Sequence, residues 1–119
     1  MTKFIRGFGY AFSGLGYAFK SQLNFRVHIF IALLVGFAGY WLKLSATEWL
    51  WIIASIGLVL IVELLNTAIE TLVDLISPEI HPKAKIIKDV AAGAVLIAAI
   101  VAAGIGLVIF IPKLLQYVA

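Results

Sequence analysis

Three long apolar runs, separated by short polar segments, follow a different kind of beginning in this chain. Val27 to Leu42 is broken only by His28 and bounded by Arg26 and Lys43. Trp49 to Val62 is uncharged, and apolar residues continue past Glu63 as far as Ile76. Val90 to Ile111 is free of charge and is closed by Pro112 and Lys113. A hydrocarbon core about 30 Å thick takes about 20 apolar helical residues to cross. The pattern therefore predicts membrane helices over 27–42, 48–76 and 84–111, the first slightly short and lengthened by snorkelling Arg26 and Lys43. Ser45-Ala-Thr-Glu48 has the spacing of a capping box and predicts the start of the second helix. Tyr40, Trp41, Trp49 and Trp51 flank that loop as interfacial aromatics do.

Residues 1–26 read differently. A seven-residue unit occurs twice, Gly7-Phe-Gly-Tyr-Ala-Phe-Ser13 and Gly14-Leu-Gly-Tyr-Ala-Phe-Lys20. That period returns each residue to nearly the same face of a helix. With Phe4, Phe8, Phe12, Phe19 and a few basic residues, the segment predicts an amphipathic helix on a membrane surface, where it can cover a site. The glycines are no phosphate loop, since no G-x-x-x-x-G-K-[ST] occurs and no strand pattern precedes them.

Composition sharpens this picture. The chain has 119 residues, 64% of them hydrophobic and 13% charged, and no cysteine. Soluble domains carry about 45–50% apolar and about 25% charged residues. A water-soluble enzyme, a disordered tail and a disulfide-stapled module are excluded, and a single all-α, integral membrane domain spanning 1–119 remains. The net charge of +3 is too small and scattered to imply nucleic acid. Its distribution predicts orientation instead. Lys3, Arg6, Lys20 and Arg26 precede the first span and Lys83, Lys85 and Lys88 lie between the second and third, against Lys43 and Lys113 in the alternate segments. The N-terminus and second loop are thus expected in the cytoplasm and the C-terminus outside. Lys20 and Arg26 interrupt the N-terminal stretch before any long apolar core, so no signal peptide is expected.

The acids stand where a membrane protein should avoid them. Glu63, Asn66, Glu70 and Asp74 follow one another at spacings of 3, 4 and 4. At about 100° per residue they share a sector of roughly 80°. With Trp49 at the outer interface, a rise of about 1.5 Å per residue puts Glu63 about 21 Å inward, Glu70 about 31 Å and Asp74 about 37 Å. Glu63 falls inside the membrane, where a carboxylate costs on the order of 2.5–3.5 kcal/mol on insertion scales. One such acid can be a helix-packing residue, but four polar positions on one stripe point to a site. A carboxylate at that depth is placed to take a proton from a lipid alcohol.

The loop Ser77 to Asp89 supplies complementary chemistry. Lys83, Lys85 and Lys88 can meet phosphates, while Glu79, His81 and Asp89 can accept hydrogen bonds or help hold a metal. Lys88 and Asp89 share an interface with Glu70, and acids, lysines and an Asn together resemble a Mg-nucleotide site. The combination predicts phosphoryl transfer from ATP to a lipid hydroxyl. Ala94, Ala98, Ala102 and Gly106 recur every four residues, a spacing that lets helix backbones approach. Three spans surround a polar stripe poorly, which predicts an oligomer. His28 either faces the site or caps the interface. A rival reading makes the stripe the ion path of a small transport or proton-pathway subunit. However, Trp49 to Val62 has no ionisable residue to continue such a path.

Glu63-Leu-Leu-Asn-Thr-Ala-Ile-Glu70, then Asp74, then His81-Pro-Lys-Ala-Lys-Ile-Ile-Lys-Asp-Val-Ala-Ala-Gly-Ala-Val95, closely resembles the signature of the prokaryotic diacylglycerol kinase family, which includes undecaprenol kinases. Asn24-Phe-Arg-Val-His28 extends the resemblance toward the N-terminus. It implies a homotrimer of three-span subunits with composite sites, using ATP and Mg²⁺ on a membrane lipid alcohol. It implies Glu63 as base, Asn66 in support, Glu70 at the metal, and Lys88 with Asp89 at the phosphates. Glu79 and His81 would hold the adenosine end, Tyr10 and Lys3 would close over the nucleotide, and Asp74 and His28 would support the site. Gln22 occupies a position where the family commonly has a metal-binding Glu, and its amide oxygen brings no charge. The Ser77-Pro-Glu…His81-Pro-Lys-Ala-Lys loop is similar to the undecaprenol kinase branch; diacylglycerol is the alternative substrate.

Overall fold

The structure, a computed structural model, describes residues 2–119; the first residue of the expected 1–26 segment lies outside it. Four helices follow in chain order: α1 (Thr2–Ser21), α2 (Leu23–Trp41), α3 (Ala46–Ile76) and α4 (Pro82–Val118). α2, α3 and α4 are each long and apolar enough to cross a membrane. α3 and α4 pack most extensively against each other, α2 lies against α3, and α1 touches α2 and α3. Large apolar side chains remain exposed along all four helices, among them Phe30, Leu33, Phe37, Ile53, Ile61, Ile97 and Val108. Lipid tails can cover that surface and water cannot do so cheaply.

The first helix ends at Ser21, five residues before the predicted 26. Gln22 is extended (φ −118°, ψ 109°) and breaks the chain between α1 and α2. Arg26, expected only to flank a span, donates to the carbonyls of Phe19 (2.6 Å) and Lys20 (3.0 Å). Those are among the orphan carbonyls that every helix leaves at its C-terminus, and a cation there is also favoured by the helix dipole. The expected boundary between 26 and 27 thus falls at Gln22, and Asn24-Phe-Arg26 belongs to α2.

The α2–α3 turn is closed by local chemistry. Leu44 N–H donates to the Gly39 carbonyl (3.1 Å) and Lys43 N–H to that of Tyr40 (3.3 Å), with Lys43 in the left-handed region at φ 58°. This is a Schellman end. Ser45 and Glu48 form the capping box, at 2.8 and 3.2 Å. A Cβ on Gly39 would stand 2.9 Å from both Leu44 Cδ1 and Trp49 Cη2, so only glycine lets the turn fold back this closely. Beside it Leu44, Ile52 and Ile109 form a buried cluster, with Val35, Trp49 and Phe110 around it.

α4 runs well past its expected limits. The segment 84–111 lies inside a helix of 37 residues that continues through Pro112. A proline inside a helix removes one hydrogen bond and crowds the carbonyl four residues back. Beyond it, Lys113 binds Glu48 (3.1 Å) and the Lys43 carbonyl (3.3 Å), tying the end of α4 to the α2–α3 turn. At the other end His81 is the N-cap, its Nδ1 accepting from Lys83 N–H (3.1 Å), and Pro82 takes the first helical position. Of the four-residue Ala/Gly stripe, Ala98 is buried within the chain, along with Ala91 and Ile109. Ala94 is exposed, and among the described residues no atom outside its own helix backbone stands within 4 Å of a Cβ built on Gly106.

Candidate active site

α3 turns one face inward: Ile52, Ser55, Val59, Glu63, Asn66, Thr67 and Val73 are its buried residues. The i, i+3, i+4 rhythm that buries Ile52, Ser55 and Val59 carries Glu63 and Asn66 in with them. Glu63 is 1% exposed and is the largest fully buried side chain among the described residues. Nearby hydroxyls turn back on their own helix. Ser55 donates to the Trp51 carbonyl (2.7 Å), Thr67 to that of Glu63 (3.0 Å) and Thr71 to that of Thr67 (2.8 Å). Such back-bonding satisfies a hydroxyl where no water is available.

The carboxylates have different surroundings. Glu63 Oε1 meets His28 Nε2 of α2 at 3.3 Å, without the alignment of a hydrogen bond. One turn on, Asn66 Nδ2 donates to Glu70 Oε1 (3.2 Å), while Asn66 Oδ1 has no partner among the described residues. A further turn on, Asp74 pairs with Lys88 of α4. Asp89 is held by Lys85 at 2.5 Å, one turn apart on α4. A cleft of about 300 Å³ opens where α3 ends and α4 begins, lined by Asp74, Glu79, His81, Lys85, Lys88 and Asp89 among others. Native proteins rarely leave buried acceptors unpaired, so Glu63 Oε1 and Asn66 Oδ1 set this stretch of α3 apart from the rest of its buried face.

The structure thus brings together Glu63, Asn66, Glu70 and Asp74 with His28 and Lys88, and gathers Glu79, His81 and Asp89 about the cleft at the α3–α4 junction. His81 has one ring nitrogen engaged as a helix cap, leaving Nε2 for any ligand. Lys3 and Tyr10 are exposed on α1, Tyr10 at 72%, and neither is bonded to the stripe. Gln22 is half-buried in the α1–α2 break and makes no side-chain cap. Thr67 was not singled out from sequence, although it stands at i+4 from Glu63 and a helical projection puts it on the buried face. The pairing of Lys88 with Asp74, 14 residues away, had no sequence signal beyond opposite charge.

A metal can be tested against these donors. Among the described residues no three His, Asp or Glu side chains converge into a cage. Mg²⁺ does not need one, since it is usually held by one or two carboxylates together with substrate phosphates and water. Glu70, with the Asn66 amide beside it, offers the hard oxygen chemistry that suits this ion.

The fold and site define a class: a small multi-pass membrane protein with an acidic stripe, buried at Glu63, leading to a lysine-lined cleft at one end of its helices. Residues 9–110 match the model of the family described as prokaryotic diacylglycerol kinase, and the chain belongs to that family. It is 43% identical over 114 residues to an undecaprenol kinase of Bacillus subtilis (strain 168), covering 96% of this chain and 93% of that one. It is 47% identical over 110 residues to a diacylglycerol kinase of Synechocystis sp., covering 92% of this chain and 63% of the relative. A diacylglycerol kinase of Escherichia coli (strain K12) is 41% identical over 101 residues, covering 85% and 83%.

Proposed function

We propose that this protein is a Mg-ATP-dependent lipid kinase that transfers the γ-phosphoryl group to the primary hydroxyl of a membrane lipid alcohol, undecaprenol in preference to diacylglycerol. The observation that carries the reading is the placement of Glu63, an acid buried on the α3 stripe, two turns from Glu70 and three from the Asp74–Lys88 pair. Family membership favours it over an ion path. The Ser77 to Lys85 loop and the undecaprenol kinase relative both support the isoprenoid alcohol.

In this reading the lipid hydroxyl gives its proton to the Glu63 carboxylate as its oxygen bonds to the γ-phosphorus. The bond from that phosphorus to the bridging oxygen breaks, and ADP leaves with the electron pair. A positioned base contributes about 10²–10⁴-fold to such a step. Asn66 fixes Glu70 by its 3.2 Å hydrogen bond, and Glu70 with Gln22 would hold Mg²⁺. When bound, that ion neutralises phosphate charge. Lys88 exchanges Asp74 for phosphate oxygens, with Asp89 beside it. Glu79 and His81, in the same cleft, receive the adenosine end. α1 lies on the inner leaflet and brings Lys3 and Tyr10 over the nucleotide. Subunits assemble as a homotrimer, N-terminus inside and C-terminus outside, so that neighbours complete each site.

The test is transfer of label from [γ-³²P]ATP in mixed micelles, with undecaprenol and diacylglycerol compared at equal mole fraction. Label is expected on undecaprenol at the higher kcat/KM. Preference for diacylglycerol would reverse the substrate assignment, and transfer to neither would end the kinase reading.

A further inference from the structure

The contact between His28 and Glu63 crosses from α2 to α3 at a depth where both groups must be accounted for. The imidazole Nε2 lies 3.3 Å from Glu63 Oε1, with the carboxylate side chain 1% exposed and the imidazole 22%. Oε1 has no aligned hydrogen bond, so the imidazole is the polar side chain the structure sets against it. His28 also borders an apolar cleft of about 460 Å³ between α2, α3 and α4, whose walls include Val35, Ser55, Val59, Ala102 and Gly106. Among the described residues it is the one ionisable side chain on that lining. The imidazole thus stands between the hydrocarbon-lined space and the buried acid.

The position is fixed by what precedes it. Arg26, two residues earlier, is tied to the carbonyls of Phe19 and Lys20, and Phe25 is buried. These anchors fix the start of α2 against the end of α1, and His28 follows within one turn. Its χ2 torsion is broad, so a small rotation of the ring aligns an N–H on Oε1.

We propose that His28 is the positioning residue for Glu63, holding one carboxylate oxygen so that the other faces the lipid hydroxyl. The inference rests on the reading of Glu63 as the base. A lysine or arginine at this depth would bind the carboxylate as a permanent ion pair. An imidazole can be neutral, donate one N–H, and leave the acid free to accept a proton. A carboxylate left to several rotamers in an apolar surround would meet the hydroxyl in the productive geometry less often.

The experiment compares His28→Leu with His28→Gln in the full-length protein. Leucine keeps the volume and suits the apolar depth, while glutamine restores an N–H donor but cannot titrate. Steady-state transfer to the lipid alcohol is measured with ATP varied, thermal unfolding is followed in the same micelles, and Glu63→Gln is the reference. His28→Leu is expected to lower kcat about tenfold or more with KM for ATP within about twofold. His28→Gln is expected to recover most of the lost kcat at the same melting temperature. Wild-type kcat in His28→Leu would overturn the proposal, as would equal losses in both variants tracking a lower melting temperature, the mark of a helix fastener. If Glu63→Gln is inactive while His28→Leu is fully active, only this inference falls. If Glu63→Gln itself turns over normally, the base assignment falls and His28 has nothing to position.

Discussion

The two ends of this helix bundle are built on opposite terms. At the α2–α3 end the polar groups are spoken for. The Schellman carbonyls, the Ser45–Glu48 capping box and Lys113 on Glu48 and the Lys43 carbonyl lock three helices together. Toward the α3–α4 end, Glu63 Oε1 and Asn66 Oδ1 lack hydrogen bonds, and the lysines Lys85 and Lys88 are held only by exposed partners. Buried acceptors without partners destabilise a fold, typically by about 1–3 kcal/mol each, whereas the closed turn stabilises it. The contrast teaches that one end carries the structural load, while the other holds buried acceptors that the protein's own hydrogen bonds leave unsatisfied.

Breaking each end should therefore give a different phenotype. Glu63→Gln should lower kcat by about 10²–10⁴-fold, while retained ATP binding and an unchanged melting temperature show that the folded site persists; near wild-type turnover would remove Glu63 as base. Gly39→Ala should do the reverse. The added methyl meets Leu44 and the rigid Trp49 ring at 2.9 Å, so unfolding should cost about 1–3 kcal/mol less, with kcat unchanged in the fraction that remains folded. An undiminished melting temperature would show that the turn can yield. Next in size, Glu70→Gln should raise the Mg²⁺ concentration for half-maximal rate and Gln22→Glu should lower it. If the Gln22→Glu titration matches wild type, residue 22 is not at the metal. The smallest effect is expected at Lys43, whose φ of 58° costs an L-residue about 1–2 kcal/mol. Lys43→Gly should raise the melting temperature slightly and leave transfer unaltered.

Much of this organisation was legible along the chain because helical periodicity is local. The apolar runs marked the three long helices, and the 3, 4, 4 spacing put Glu63, Asn66 and Glu70 on one face, as the structure has them. Ser45 and Glu48 announced their own cap. Boundaries were less legible. Arg26 looked like a membrane-flanking charge, but its guanidinium reaches back to Phe19 and Lys20 and ends α1 early. Pro112 looked like a stop, yet the helix continues to Val118 with Lys113 fastened to the α2–α3 turn. His81 looked like a ligand donor and serves also as a helix cap.

What the sequence determined by itself is therefore the set of elements, the medium they live in, and the polar face of α3. Each follows from interactions between residues at most a few turns apart, or from the balance of apolar and charged groups over the whole chain. Only the tertiary structure decided which partners those faces meet: His28 against Glu63, Lys88 on Asp74, Lys113 on Glu48, and the burial of Ala98 but not Ala94 from the Ala/Gly stripe of α4. These pairings depend on helix crossing and register, which no spacing within a single helix encodes. A charge records what it can pair with, and packing selects which partner comes within reach.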